Sequence, residues 1–166
     1  MKQHRLNVHL PQSIVKSLES FVPLLWRDIV VIIDDGHRSA LAYDALTRLA
    51  AALKQEHPRG YGVLIVIPQN ARPPSDQARR AINEALAAAA GGLKCVCWLV
   101  EGKGFQAAMA RAVLTGLTLL RPAFETHVTS HQHGALKWIL SCLRGPRVDL
   151  ESEIAAALVF LDKRRP

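Results

Sequence analysis

One segment of the chain, residues 93–120, changes from the pattern of a buried strand to the pattern of a helix. It contains six consecutive apolar residues from Cys95 to Val100, a polar break at residues 101–104 (EGKG), and then apolar residues at helical spacing with Arg111 as the single charge. A continuous apolar run is typical of a strand buried on both faces, and the glycine-flanked turn brings the following helix back against the sheet. The segment therefore predicts a sheet that is covered by helices.

The same order of strand and helix repeats along the chain. Residues 29–33 (IVVII) and 61–67 (YGVLIVI) predict two further buried strands, and residues 126–129 predict a short one. Helices are predicted over residues 37–56, from Ser75 to Gly91, over 105–120, over 130–143 with Ser130 as N-cap, and in the tail with Asp149 as N-cap. This alternation predicts a single-domain α/β fold with a mainly parallel, mixed sheet of four to five strands.

The chain is expected to divide into three parts. Residues 1–25 form an N-terminal segment with an edge strand or a short helix, and residues 26–145 form the α/β core. Residues 146–166 form a C-terminal helix whose apolar face must be covered, either by the core or by a partner. Homodimerisation through that helix or through a sheet edge is therefore one expectation.

Charge and composition restrict the classes of partner that the chain is expected to bind. The 166 residues carry a formal net charge of +7, with basic residues gathered at the two ends. Aromatic side chains that stack on bases are few and are not interleaved with the basic ones, so a solvated basic surface is favoured over a nucleic-acid interface. Neither a signal peptide nor an apolar run of membrane-spanning length is present, so we expect a cytoplasmic protein without a membrane span.

Cysteine and histidine residues suggest no metal centre and no cofactor. Cys95 and Cys97 stand two apart on one predicted strand, so they share a face and are expected to be buried free thiols. His127, His131 and His133 lie close in sequence, but the last two fall on different sides of a starting helix. A surface helix start explains them better than a metal site does.

Three loops follow predicted strands and are expected to meet at one edge of the sheet: residues 34–37, 69–75 and 101–104. Gly102, Lys103 and Gly104 precede a helix, where backbone amides and a lysine can hold an anion. Asp35 and His37 would face the same place. The simpler interpretation is that these residues form tight turns and helix caps. A third hypothesis makes Asp34, Asp35 and His37 the acid–base or metal groups of an enzyme.

Three short motifs carry a family resemblance: Pro73-Pro74-Ser75, the VEGKGF segment at residues 100–105 and the RAVLTGL segment at residues 111–117. Over residues 26–143 the chain resembles bacterial STAS-like domains, the fold of the anti-sigma-factor antagonists. The resemblance implies a non-enzymatic signalling domain that binds a protein partner, such as a regulatory kinase or an anti-sigma-like protein. Known members are switched by phosphorylation of a serine at the start of the second helix. Ser75 takes a similar place, although no glycine follows it.

Overall fold

A computed structural model of the chain describes residues 23–34, 40–72, 76–118, 124–145 and 150–163. It confirms the predicted fold class, an α/β domain with a mixed, mainly parallel sheet. The five strands lie in the sheet in the same order as in the chain. They are β1 (Leu24–Trp26), β2 (Ile29–Ile33), β3 (Tyr61–Ile67), β4 (Leu93–Val100) and β5 (Glu125–Thr129).

The apolar runs form the middle of this sheet. β2, β3, β4 and β5 pair in parallel, and β1 adds to β2 in the antiparallel direction. The register places Ile29 beside Gly62 and Gly62 beside Cys95. Because successive side chains of a strand point to opposite faces, a strand covered on both faces needs apolar residues at almost every position. β2, β3 and β4 meet that requirement.

Helices cover both faces of the sheet. On one face lie α1 (Ala40–Glu56), α2 (Asp76–Ala89) and α3 (Phe105–Thr118), and on the other lie α4 (Gln132–Arg144) and α5 (Leu150–Asp162). Alternate residues of one strand serve the two layers: Val96 and Trp98 belong to the first, and Cys95 and Cys97 to the second. The hydrophobic core therefore consists of two layers with the sheet between them.

The C-terminal helix α5 is covered by its own chain. Its buried side chains, Leu150, Ile154, Ala157 and Leu161, join those of α4 in the second layer of the core. Asp149, the predicted N-cap, lies outside the described residues.

β3 and α4 approach each other closely at Gly62. A Cβ atom built there would lie 2.9 Å from Ile139 Cγ2 and 3.2 Å from Cys95 Sγ. Both distances are shorter than an ordinary van der Waals contact, so a larger residue at this point would force Ile139 on α4 to shift.

Two details at the ends of elements differ from expectation. The prediction that Ser130 caps α4 is wrong, because the N-cap is His131 and it makes no side-chain capping bond. Instead the His131 N–H donates to Thr129 Oγ1 at 3.2 Å, which holds the loop so that the helix begins later. Sequence reasoning also missed β1, whose two-residue turn to β2 has Arg27 at a φ of 55°. The elements predicted before residue 23 lie outside the described residues.

No helix within the described ranges is both long enough and apolar enough to cross a membrane.

Candidate functional site

The residues that follow β2, β3 and β4 within the described ranges lie at the carboxyl edge of the sheet. The Asp34 N–H donates to the Val66 carbonyl at 2.7 Å, and the Glu101 N–H donates to the Ile67 carbonyl at 2.9 Å. A Cβ atom on Gly102 would lie 2.5 Å from Gln69 Cγ, so the loops after β3 and β4 touch. We call residues 34, 68–72 and 101–104 the carboxyl-edge loops.

Among the predicted site residues, Gly102, Lys103 and Gly104 lie at this edge, directly before α3. Gly102 and Gly104 have φ values of 90° and 99°, in the region that favours glycine, and Lys103 is exposed. A Cβ on Gly104 would meet nothing within 4 Å, so the backbone there is open to solvent. The first amides of α3 and the lysine together offer an anion a shallow, exposed place. Asp35, His37 and Ser75 lie outside the described residues.

The three cysteines form a cluster between β4, β5 and α4. Cys95 and Cys97 are buried free thiols, as predicted, and Cys142 donates to Glu125 Oε2 at 3.3 Å. Burial raises the pKa of Cys97 to about 12, and burial together with the neighbouring Glu125 carboxylate raises the pKa of Cys142 to about 11. Because the thiolate is the reactive form, these thiols are suited to packing rather than to nucleophilic chemistry.

The histidines contact different partners. The His127 ring stacks on Trp138 with 5.1 Å between the ring centroids. His133 Nε2 lies 3.1 Å from Glu151 Oε2, and His131 is exposed. Within the described part of the chain, no three histidine, cysteine or acidic side chains are grouped so as to hold a metal ion.

An ion-pair network, which we call the Arg144 network, lies at the opposite edge of the sheet. The Arg144 guanidinium makes two hydrogen bonds to the Asp28 carboxylate, and its Nε lies 3.3 Å from Glu153 Oε2. Arg27 donates to Glu153 Oε1 at 2.6 Å. The network joins the β1–β2 turn to α4 and α5. The Asp28–Arg144 pair spans 116 positions, which sequence spacing cannot reveal.

Two large apolar side chains on α3 are half-exposed. Met109 is 52% exposed and Val113 is 50% exposed, and Ala108 and Ala112 beside them are exposed as well. We call these four residues the α3 outer face. Arg111, the only charged residue of the helix, is half-buried, and its Nη1 atom is buried without a hydrogen-bond partner among the described residues. Sequence reasoning missed this surface, and the near absence of charge in residues 105–118 is the signal that could have indicated it.

The comparisons with known proteins add no assignment. No family model, no curated protein and no solved structure matches the chain significantly.

Proposed function

We propose that this chain is a non-catalytic protein-interaction domain, similar to the STAS-like regulators, which binds a partner through the α3 outer face. The observation that carries the proposal is the pair of half-exposed side chains, Met109 and Val113, on a helix whose outer face has no charge. Most helices on the surface of a sheet turn polar residues to water, and apolar groups left there mark sites of association.

The free energy that burial of this surface would contribute to binding is modest. Burying a fully exposed large apolar side chain contributes roughly 1.5–3 kcal/mol, so two half-exposed ones contribute about 2 kcal/mol together. The flanking alanines, Ala108 and Ala112, leave room for a partner's backbone or side chains to come close. Such a surface fits a regulated contact rather than a permanent one.

The order of elements supports the resemblance on which the choice of partner depends. Each of the parallel strands β2, β3, β4 and β5 is followed by a helix, and the VEGKGF and RAVLTGL segments run from the end of β4 through α3. The resemblance implies a regulatory kinase or an anti-sigma-like protein as partner. Phosphorylation of Ser75, directly before α2, stays a prediction. A phosphate placed there would meet the first amides of that helix.

Capture from an extract of the cells that make the protein tests the proposal. The baits are the wild type, the double variant Met109→Lys/Val113→Lys and the matched control Val159→Lys. Val159 is also a large apolar residue, 55% exposed, but it lies on α5 across the sheet. We expect a protein that binds the wild type and the control and is lost from the double variant. Equal recovery by all three baits, or no recovery, would refute the role of α3.

A second candidate function is anion binding at the carboxyl-edge loops, favoured by the open backbone at Gly104 and the exposed Lys103. Titration with inorganic phosphate or ATP would then raise the melting temperature, and Lys103→Ala would reduce the rise while Lys137→Ala, on α4, would not. The enzyme hypothesis stays a prediction, because Asp35 and His37 lie outside the described residues. Metal-dependent turnover that is abolished by Asp35→Asn would support it.

A further inference from the structure

The sheet ends in a strand that has only one neighbour. β5 (Glu125–Thr129) pairs with β4, and no other strand of the described part of the chain lies on its far side. In a parallel pair, alternate residues direct their N–H and C=O groups away from the neighbour. β5 therefore presents a row of backbone donors and acceptors at the edge of the sheet.

The sequence of β5 does little to discourage pairing. Edge strands are usually protected by lysine, by proline or by a bulge. β5 reads ETHVT, with three β-branched residues and without lysine or proline, and its register with β4 is regular over all five positions. Residues of this kind favour strand pairing.

Apolar or aromatic groups lie on both faces of the sheet close to this edge. On one face α3 packs against β5 and β4, and its Met109 and Val113 side chains are half-exposed. On the other face Trp138, which is half-buried, stacks on His127 of β5. Tryptophan and methionine are enriched in protein interfaces.

We propose that the partner at this edge is a second copy of the chain, with β5 pairing antiparallel to its own copy across a twofold axis at His127. One rotation then aligns the two strands, places the two α3 helices side by side on one face and brings the two Trp138 rings near each other on the other. A second copy offers both a strand and an apolar helix face by symmetry. Pairing centred on His127 uses all five residues, and it sets Thr126 opposite Val128 and Glu125 opposite Thr129.

Charge at this edge permits the contact although each copy carries a net charge of +7. β5 contributes one full charge, Glu125, and the α3 outer face contributes none. Pairing of identical strands in the antiparallel direction keeps the two Glu125 carboxylates at opposite ends of the ribbon. Like charges therefore do not meet, which would otherwise oppose self-association.

The dimensions of the contact between the two copies set the expected affinity of the dimer. A five-residue strand is about 17 Å long, and a helix of fourteen residues is about 21 Å long. With helix, strand and helix stacked about 10 Å apart, the contact face is roughly 20 Å by 20–25 Å, or about 1,000 Å² in total for two copies. That lies at the low end for specific interfaces, so we expect a reversible dimer with a dissociation constant on the order of micromolar.

This inference rests on the proposed function, since it names the partner of the same α3 surface. Sedimentation velocity of the purified full-length chain from about 1 to 200 µM tests it. Hydrogen exchange at the lowest and the highest of these concentrations is the second measurement. We expect a monomer–dimer equilibrium that Met109→Lys/Val113→Lys weakens at least about tenfold and that the control Val159→Lys leaves unchanged. Peptides covering residues 124–130 should exchange more slowly at the higher concentration.

Several results would overturn the inference. A monomer at every concentration excludes the second copy, and the proposed function still stands if capture from the extract finds a protein that depends on α3. A dimer that is lost only in Val159→Lys places the contact on α5 instead. A dimer without concentration-dependent protection of residues 124–130 excludes β5. Unchanged melting temperatures of the variants show that lost association is not lost folding.

Discussion

Removing the Arg144 charge should destabilise the domain more than removing any exposed charge on the same helix. We consider Arg144→Met, which keeps the aliphatic length of the side chain. In the wild type the guanidinium side chain is only 14% exposed, and it joins Asp28 and Glu153, whose side chains are 24% and 21% exposed. The neighbouring carboxylates also raise the pKa of Arg144 above its usual value, so the group stays charged.

The expected loss follows from what remains after the change. Asp28 and Glu153 would be left as half-buried carboxylates, with only Arg27 near Glu153 and no second cation for Asp28 within the network. Breaking a buried ion pair by deleting one member costs about 3–5 kcal/mol, and the residual exposure of this network reduces that to about 2–3 kcal/mol. For a chain of this size, the melting temperature should fall by about 5–10 °C.

Lys137 on α4 is the matched control. Its Nζ lies 3.8 Å from Glu151 Oε1 on α5, but the two side chains are 59% and 66% exposed. Solvent screens such a pair, so Lys137→Met should change stability by less than about 0.5 kcal/mol.

Urea denaturation followed by circular dichroism gives both free energies of unfolding. The double variant Arg144→Met/Asp28→Asn should be less destabilised than the sum of its single changes, since it no longer leaves a bare carboxylate. If Arg144→Met and Lys137→Met cost the same, or if the two changes at Arg144 and Asp28 add without coupling, the network does not hold the helices to the β1–β2 turn.

Two further predictions concern packing and alkaline pH. Gly62→Ala should destabilise the fold by about 1–3 kcal/mol in urea denaturation, because its Cβ would lie 2.9 Å from Ile139 Cγ2. Gly134→Ala on α4, where a Cβ meets nothing closer than 3.7 Å, should stabilise by about 0.5–1 kcal/mol, and equal effects at the two glycines would contradict the close approach. Burial raises the pKa of the Cys97 thiol from 9.0 to about 12. Its contribution to the free energy of unfolding is therefore complete below pH 9 and is lost between pH 9 and pH 12, because in this range the unfolded chain releases a proton that the folded chain keeps. The fall in the urea midpoint between pH 8 and pH 11 should therefore be smaller in Cys97→Ala than in the wild type, and an identical fall would show that this thiol is not the cause.

The strands and the fold class could be predicted because the sequence encodes them locally. Apolar runs such as residues 29–33 and 61–67 can bury all their side chains only in the middle of a sheet that is covered on both faces. The alternation of strands and helices then fixes the fold class. The shared face of Cys95 and Cys97 followed from the two-residue period of a strand.

Other features depend on contacts that sequence spacing does not encode. β1 was missed because it has three residues and turns through Arg27 and Asp28, a pair without the Asn-Gly or Asp-Gly signature of a tight hairpin. The Arg144 network joins residues more than a hundred positions apart. The carboxyl-edge loops were predicted to meet, and residues 69 and 102 do so. The exposure of Met109 and Val113 was not predicted, because it depends on which face α3 turns to the sheet.

Native mass spectrometry of the protein, purified gently from its own host, tests the central claim most directly. That claim is that the chain works by binding protein, through α3. We expect the spectrum to show a second chain, either another copy or a different protein, whose fraction falls sharply in Met109→Lys/Val113→Lys and stays constant in Val159→Lys. A spectrum that shows only the single chain would contradict the claim. A single chain with a small-mass adduct would also contradict it, and would point to the carboxyl-edge loops instead.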